Sequence, residues 1–268
     1  MPTNSTFRAD AVNNHIVGWL RDYAANAKVK GFVVGISGGI DSAVTSALCA
    51  QTGYPTLCIT MPIHQAASHV SRAREHIGSL MDRFDNVSEA EADLTSTFDH
   101  FAKHVPVIDN ETLQNLTLAN TRARLRMMTL YYFAGINSSL VVGTGNKVED
   151  FGVGFFTKYG DGGVDISPIA DLTKSQVREL GKYQGIVESI IVAKPTDGLF
   201  GDDRSDEDQL GASYDELEWA MEQKENGASP NDFTARQREV YEIFNRLNTV
   251  NQHKMRPIPI CEIPLNLT

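Results

Sequence analysis

Hydrophobic residues recur at two alternating spacings along the first half of the chain. Between Ala9 and Ala25 they return every three or four residues, which predicts an amphipathic helix. Gly31–Ile36 is instead a continuous apolar run, typical of a parallel strand buried on both faces. The same alternation predicts a helix at Asp41–Gln51, a strand at Thr56–Thr60 and a helix at Ala66–Met81. Strands that alternate with helices predict a parallel sheet.

The alternation continues as far as Gly143. A weaker strand pattern at Phe84–Val87 and two helical patterns, Ala92–His104 and Glu111–Gly135, precede an apolar strand at Ser139–Gly143. We therefore predict an α/β fold, a Rossmann-like parallel sheet flanked by helices, whose nucleotide-binding core spans about 28–145.

The second half of the chain lacks the regular alternation of strand and helix patterns. Gly143–Ser167 is glycine-rich and charged, a short helix follows at Thr173–Tyr183, and we expect the sheet to be complete by then. Asp197–Gly211 carries six acidic residues without periodic hydrophobics, which indicates a mobile surface loop. Two C-terminal helices are predicted from apolar positions at helical spacing: Tyr214, Leu217 and Met221 in one, Phe233, Val240, Phe244 and Leu247 in the other. We expect a single domain over 1–268, in which 146–268 completes the site.

Composition narrows the class of partner. The 268 residues include 24 Lys and Arg against 34 Asp and Glu, a formal charge of −10, which disfavours nucleic acid as the main ligand. The chain lacks a signal-like start and any apolar run approaching the roughly 20 residues that span a bilayer, so we predict a cytoplasmic protein without a membrane partner. Cys49 and Cys58 fall in periodic segments and are expected to be small buried hydrophobes.

The most informative segment lies between the first strand and the helix after it. It consists of Gly35, Ile36, Ser37, Gly38, Gly39, Ile40, Asp41 and Ser42. Adjacent glycines allow backbone N–H groups to approach a phosphate, and a helix N-terminus adds partial positive charge. The glycines are not followed by Lys, which excludes a Walker A loop.

Asp41 is unexpected inside an anion-binding loop. Its carboxylate would repel a phosphate unless a cation lay between them, so we interpret Asp41 as a Mg²⁺ ligand that bridges to a polyphosphate. The alternative is that Asp41 is a simple helix N-cap.

The segment Ser37–Ser42 resembles the S-G-G-x-D-S signature of the N-type ATP pyrophosphatases. This resemblance implies cleavage of ATP between its α and β phosphates and adenylation of a substrate oxygen. Amidating ligases and sulfur-inserting tRNA enzymes share this chemistry, so the signature leaves the substrate open.

Two further stretches, Gly143–Glu149 and Gly154–Asp165, resemble the second signature of NAD synthetases. Additional matches are Leu172-Thr173-Lys174, Lys194–Leu199, Ser205-Asp206-Glu207, Ala123–Met127 and His253-Lys254. The resemblance implies amidation of nicotinic acid adenine dinucleotide (deamido-NAD) through an acyl adenylate, with ATP as cosubstrate, and a homodimer formed through the Glu111–Gly135 helix. The glutamine-using members carry an additional amidohydrolase domain, for which 268 residues leave no room, so we expect free ammonia as the nitrogen donor.

The resemblance also implies roles for individual residues. The ATP contacts would be the Gly35–Ser42 loop, Thr144, Lys174 and Thr196. The deamido-NAD contacts would be Arg124, Lys158, Asp165, His253 and Lys254. The catalytic group would be Asp41, Glu149 and Lys174, with Asp41 and Glu149 as Mg²⁺ ligands.

Physical reasoning supports part of this assignment and leaves alternatives. Glu149 follows a strand at the carboxyl edge, where open α/β sheets bind ligands, and Lys174 could offset charge on a leaving pyrophosphate. Read without the resemblance, both could be solvated surface residues. Asp150 is a rival metal ligand, because the segment after Glu149 is one residue longer than in many relatives. Two other functions stay open: a tRNA-modifying adenylating enzyme, and a non-catalytic module that binds an adenine nucleotide.

Overall fold

The sheet contains four parallel strands. A computed structural model describes residues 7–194 and 205–267. The strands are β1 (Gly31–Gly35), β2 (Thr56–Thr60), β3 (Val87–Glu91) and β4 (Ser139–Val141), in the spatial order β3-β2-β1-β4. In the register, Val33 lies opposite Leu57 on one side and Val141 on the other. The predicted α/β fold with a parallel sheet is confirmed.

Helices cover both faces of this sheet. Before β4 they are α1 (Ala9–Ala27), α2 (Ile40–Gln51), α3 (Ala67–Arg83), α4 (Thr95–Ala102) and α5 (Glu111–Asn137). After β4 they are α6 (Lys174–Gln184), α7 (Glu188–Ile191), α8 (Asp206–Leu210), α9 (Tyr214–Glu225), α10 (Ala235–Val250) and α11 (Gln252–Met255). A π-helical turn at Val148–Val153 and 3₁₀ turns at Pro230–Asp232 and Leu265–Leu267 complete the described elements.

The side chains of β1 explain the layers. Phe32 and Val34 join a core formed with α1, α2, α3 and α6, whereas Val33 joins a second core beneath α5. All three are fully buried, as expected for a strand that is apolar on both faces. From β1 the chain adds β2 and β3 on one side of the sheet, and it then returns to add β4 on the other side of β1. Because the crossovers between parallel strands are right-handed, connections that run in opposite directions place their helices on opposite faces of the sheet.

Two strand predictions were wrong in detail. β3 lies at Val87–Glu91 rather than at Phe84–Val87. The prediction missed it because an edge strand exposed to solvent is composed mainly of polar residues, and Val87 is the one buried residue of β3. The strand predicted at Ser139–Gly143 is shorter, because β4 ends at Val141. Val142 then forms an isolated parallel bridge with Ile166, and the Gly143 N–H donates to the Ile166 carbonyl at 2.7 Å.

The predicted surface loop at Asp197–Gly211 is wrong over its second part. Residues 206–210 form α8, where Asp206 and Leu210 are 6% and 5% exposed. Ser205 begins the helix by accepting from the Asp208 N–H, and the Asp208 carboxylate accepts from the Ser205 N–H. This capping box was present in the sequence as Ser205-x-x-Asp208 but was obscured by the high acidity. Residues 197–204 lie outside the described part of the chain.

A smaller hydrophobic cluster packs the C-terminal helices against the π-helical turn. Its buried members include Val148, Val153, Leu217 and Phe244. This packing fixes the position of the segment that carries Glu149. The division into a core at 28–145 and a completing region at 146–268 stays a prediction.

Cys49 and Cys58 are fully buried free thiols, as expected. Burial, followed by the charge of Glu89, raises the pKa of Cys58 to about 12, so this thiol stays protonated. Across residues 7–194 and 205–267, no helix combines the length and apolar character needed to cross a membrane.

A buried histidine should make stability depend on pH. His76 is 1% exposed, and its Nε2 lies 2.9 Å from Ser46 Oγ. Burial and then the charge of Arg83 lower its pKa from 6.5 to about 4. The neutral form is favoured in the folded state, so stability is complete above pH 6.5 and is lost as the pH falls towards 4. We expect the free energy of unfolding to drop by about 2 kcal/mol between pH 7 and pH 5 from this group.

Urea unfolding at both pH values tests this expectation. His76→Gln should lose that part of the pH dependence, whereas His15→Gln, at an exposed site on α1, should retain it. Equal pH dependence in all three proteins would show that His76 does not titrate differently on unfolding.

Candidate active site

The phosphate loop lies at the point where the strand order reverses, between the carboxyl ends of β1 and β4. In open α/β sheets this crevice is where ligands bind. Ser37 and Ser42 face each other with their hydroxyl oxygens 3.1 Å apart, and the Ser37 N–H donates to Ser42 Oγ. Gly38 has φ +83°, and a Cβ there would collide with the His69 carbonyl oxygen, so this position requires glycine.

The helix after this loop has a free N-terminus. α2 begins at Ile40 with Gly39 as its N-cap, and no side chain caps it. Asp41 is therefore not the N-cap of α2, which removes the alternative considered from the sequence. The N–H groups of the first turn and their partial positive charge are available to an anion.

A cavity of about 250 Å³ opens above the loop. It is lined by the predicted residues Gly35, Ser37, Gly38, Gly39, Ile40, Asp41, Ser42, Thr144, Glu149 and Lys174, and also by Arg72, Arg126 and Arg178. Ile36 is the exception among the loop residues, since its side chain packs in the core at 5% exposure. Thr196 lies outside the described residues. Sequence positions more than 130 residues apart thus meet at one site.

Lys174 joins the two carboxylates that were predicted to hold metal. Its Nζ lies 2.6 Å from Asp41 Oδ2 and 3.0 Å from Glu149 Oε1, and its side chain is 3% exposed. Burial acts to lower the pKa of Lys174, but the charges of Asp41 and Glu149 and their hydrogen bonds raise it above its ordinary value. The ammonium group therefore stays charged, and the solvated surface alternative for Lys174 is wrong.

Asn146 contacts the Asp41 carboxylate and the backbone of the segment that carries Glu149. Its side chain is fully buried, and its Nδ2 donates to Asp41 Oδ1 at 3.2 Å. Its Oδ1 accepts from the N–H groups of Val148 and Glu149, which begins the π-helical turn. π-Helical turns are found frequently at functional sites. Asn146 thus links the phosphate loop to the segment that carries Glu149.

Tyr214 was interpreted from the sequence as a core residue, and its polar role was missed. The ring is fully buried, but its hydroxyl donates to Glu149 Oε1 at 2.5 Å and lies 3.3 Å from Asp206 Oδ2. Burial, followed by the charges of Glu149 and Asp206, raises the pKa of Tyr214, so the phenol stays a donor. Tyrosine at a helical apolar spacing gives no sequence signal that distinguishes such a role from packing.

Asp150 also lines the cavity, next to Glu149. Its carboxyl group lies directly over Gly145, where any Cβ would collide with it. Burial and then the negative charge of Glu149 raise the pKa of Asp150 to about 8. This shift favours the neutral form of Asp150, whereas the Glu149 carboxylate contacts the Lys174 ammonium group. Glu149 is the better placed anionic ligand.

The donor set suits Mg²⁺. Asp41 and Glu149 provide hard carboxylate oxygens at one wall of the cavity, and Mg²⁺ typically binds one or two protein carboxylates together with phosphate oxygens and water. Within the described residues no group of three His, Cys, Asp or Glu side chains forms a metal cage by itself. The arrangement fits a cation that arrives with a polyphosphate.

Four residues predicted to bind the dinucleotide form a separate basic cluster, defined here as Arg124, Lys158, His253 and Lys254. Arg124 Nη2 donates to the Lys158 carbonyl at 3.3 Å, and Lys158 Nζ donates to the His253 carbonyl. Lys254 Nζ donates to the carbonyls of Gly154 and Phe156, each at 2.8 Å. The structure thus assembles residues from α5, the glycine-rich segment and α11.

Asp165 lies apart from the basic cluster. One carboxylate oxygen accepts from the Val141 N–H at 2.8 Å, and the other accepts from the Tyr131 hydroxyl at 3.0 Å. The side chain is exposed at the carboxyl end of β4, so it retains the capacity to accept a further hydrogen bond.

Comparisons with known proteins identify the family of this chain. The family described as NAD synthase matches residues 12–258. The NH(3)-dependent NAD(+) synthetase of Carboxydothermus hydrogenoformans is 36% identical over 254 residues, which cover 93% of this chain and 95% of that protein.

Solved structures show the same architecture. The structure of NMN synthetase from Francisella tularensis superimposes with a TM-score of 0.81 at 31% identity, covering 97% of this chain and 99% of that chain. The NH3-dependent NAD synthetase from Campylobacter jejuni has a TM-score of 0.76 at 24% identity and covers 95% and 100% of the two chains, which supports the fold. With the phosphate loop and the Lys174 site in one cavity, these matches show that the chain belongs to the NAD synthase family.

Proposed function

We propose that this chain is a ligase that amidates deamido-NAD with ammonia, giving NAD, AMP and pyrophosphate. The observation that carries the proposal is the contact of Lys174 with both Asp41 and Glu149 at the mouth of the phosphate loop. The family match and the relatives support an amidating ligase. They give no support to a tRNA-modifying enzyme or to a non-catalytic nucleotide-binding module.

The chain's own groups suit adenylation of a carboxylate. N–H groups of the Gly38–Ser42 segment would bind the phosphates of ATP, and Ser37 and Ser42 offer hydroxyl donors. Lys174 would offset the charge that develops on the leaving pyrophosphate. Holding the nicotinate carboxylate next to the α phosphorus supplies much of the remaining acceleration. No covalent enzyme intermediate is needed.

Asp41 and Glu149 would hold Mg²⁺ in this proposal. When bound, the ion would act as a Lewis acid that polarises phosphoryl oxygens. Asn146 keeps Asp41 oriented, and Lys174 keeps both carboxylates at the cavity wall.

The basic cluster is proposed to receive the dinucleotide. Arg124, Lys158 and Lys254 supply positive charge for its phosphates, and the exposed Asp165 carboxylate would accept from ribose hydroxyls. Because Lys158 and Lys254 already donate to backbone carbonyls, binding would exchange these contacts for contacts with substrate.

A homodimer is part of the proposal. Outer positions of α5 expose large apolar side chains at helical spacing: Leu113, Leu116, Met128, Tyr132 and Ile136. Exposed apolar side chains grouped at the two ends of one helix are typical of an interaction surface. Arg124 belongs to the same exposed side of the helix, which would place the basic cluster next to the subunit boundary.

Product analysis tests the proposed reaction. With ATP, Mg²⁺, deamido-NAD and an ammonium salt, we expect AMP and NAD in equal amounts, and neither product when any component is omitted. AMP formation without NAD would indicate a different acyl acceptor. Equal rates with glutamine and ammonium would contradict free ammonia as the donor.

A second candidate substrate comes from the Francisella tularensis structure, which is that of an NMN synthetase. The same adenylation chemistry applied to nicotinic acid mononucleotide would give NMN. The ratio of kcat/KM for the mononucleotide and the dinucleotide decides between them.

A further inference from the structure

A buried tyrosine lies directly behind the charged centre of the site. Tyr214 is the first residue of α9, and its ring belongs to the hydrophobic cluster with Leu217 and Phe244. Phenylalanine would satisfy this packing equally well, so the buried hydroxyl requires a separate explanation.

The hydroxyl and the ring contact different members of the centre. The hydroxyl donates to Glu149 Oε1 at 2.5 Å, and the Lys174 ammonium lies 4.6 Å from the ring centroid. This second distance is within the range of a cation–π interaction, which is strongest where the cation is desolvated. One side chain therefore restrains both the carboxylate and the ammonium group.

The hydrogen bonds of Glu149 are distributed unequally between its two oxygens. Oε1 accepts from both Lys174 and Tyr214. Within residues 7–194 and 205–267 no donor to Oε2 is found, so Oε2 is the oxygen available to an incoming ligand. Glutamate has three side-chain torsions, and two donors on one oxygen restrict them strongly.

Asp206 completes the arrangement from the opposite side of the phenol. Its Oδ2 lies 3.3 Å from the Tyr214 oxygen, and α8 holds it at 6% exposure. The phenol has a single proton, and the shorter contact favours Glu149 over Asp206 as its acceptor. One continuous series of polar contacts runs from Asp206 through Tyr214, Glu149 and Lys174 to Asp41.

We propose that Tyr214 is a positioning residue for divalent-cation binding: its hydroxyl fixes Glu149 through Oε1, so that Oε2 is presented to the cation, and its ring keeps Lys174 beside both carboxylates. The proposal rests on the assignment of Asp41 and Glu149 as the cation site in the proposed function. It adds a residue that touches neither cation nor substrate.

Tyr214→Phe removes the hydroxyl and keeps the ring. Tyr241→Phe is the matched control, because Tyr241 packs against the same cluster without contacting Glu149. Loss of an outer partner of a metal ligand typically weakens metal binding about 10- to 100-fold. For Tyr214→Phe we expect the Mg²⁺ concentration for half-maximal activity to rise by about 10-fold or more, with KM for the acid substrate unchanged. Tyr241→Phe should match the wild type.

A binding measurement separates this inference from the reaction itself. Mn²⁺ binding, followed by electron paramagnetic resonance with a non-hydrolysable ATP analogue present, should weaken by the same factor in Tyr214→Phe. If no amidation occurs but Mn²⁺ binding weakens, the positioning role holds while the proposed reaction fails. Mn²⁺ affinity equal to that of the control, or absence of Mn²⁺ binding in the wild type, would overturn the role.

Stability provides a further readout. Adding Mn²⁺ and the ATP analogue should raise the unfolding midpoint of the wild type and of Tyr241→Phe, and should raise that of Tyr214→Phe by less. This comparison stays decisive even if Tyr214→Phe starts from a lower midpoint. An equal rise of the unfolding midpoint in all three proteins would show that Tyr214 contributes only to packing.

Discussion

Lys174→Met is expected to abolish amidation and to destabilise the folded protein. The substitution removes the charge that would oppose the leaving pyrophosphate, and loss of one such group typically costs about 100- to 1,000-fold in kcat. It also leaves Asp41 and Glu149, whose side chains are 16% and 15% exposed, without their shared cation. Breaking a buried ion pair by removing one partner costs about 3 to 5 kcal/mol.

Urea unfolding and steady-state kinetics measure the two effects. Lys182→Met, at an exposed position on the same helix, is the matched control and should change neither. Added Mg²⁺ should restore part of the stability of Lys174→Met, because it supplies the missing positive charge, but should not restore turnover. Activity of Lys174→Met within tenfold of the wild type would show that Lys174 does not take part in the reaction.

Glu149→Gln is expected to lose Mg²⁺-dependent activity, whereas Asp150→Asn should keep most of it. The Glu149 carboxylate contacts Lys174 and Tyr214 at the cavity wall. Even outer-shell partners of a metal cost about 10- to 100-fold, so loss of a direct ligand should lower kcat/KM by more than about 100-fold. Burial and the charge of Glu149 raise the pKa of Asp150 to about 8, which favours its neutral form, so we expect an amide of the same shape to replace it with little change.

The relative activities of Glu149→Gln and Asp150→Asn decide which carboxylate is the metal ligand. Activity should be recorded against Mg²⁺ concentration for both, since a lost ligand shifts this dependence and a packing change does not. The opposite ranking would move the metal ligand from Glu149 to Asp150. Similar losses in both would indicate that the longer segment after Glu149 brings two carboxylates to the cation.

The architecture of the site explains why these effects should be large. Asp41 follows β1, Glu149 follows β4, Lys174 begins α6 and Tyr214 begins α9, so four separate elements converge on one point. Each is held by backbone that is itself restrained, by the Gly38 turn, the Asn146 contacts and the capping boxes of α6 and α9. Reacting groups on restrained elements lose little entropy when substrates bind.

Much of this arrangement was accessible from local sequence. The apolar run at β1 required burial on both faces, and the adjacent glycines before Asp41 required a loop that approaches an anion, because both properties depend on neighbouring residues alone. The family motifs predicted roles for Asp41, Glu149 and Lys174 for the same reason, since each lies in a short motif that follows a strand or begins a helix. The edge strand β3 and the helix at Asp206–Leu210 were missed where solvent exposure and acidity obscured the apolar signal.

Tertiary structure decided which of these residues touch. The link from Lys174 to Asp41 spans 133 positions, and that from Tyr214 to Glu149 spans 65, so neither has a periodic signature in the chain. The ionisation of Asp150 depends on burial and on the nearby charge of Glu149, and both arise only when the chain is folded. The hydrophobic pattern along the chain thus specifies the layers of the sheet, because it shows residue by residue which side chains are buried. The charges of the site are set by distances between residues on different elements, and no local sequence pattern encodes those distances.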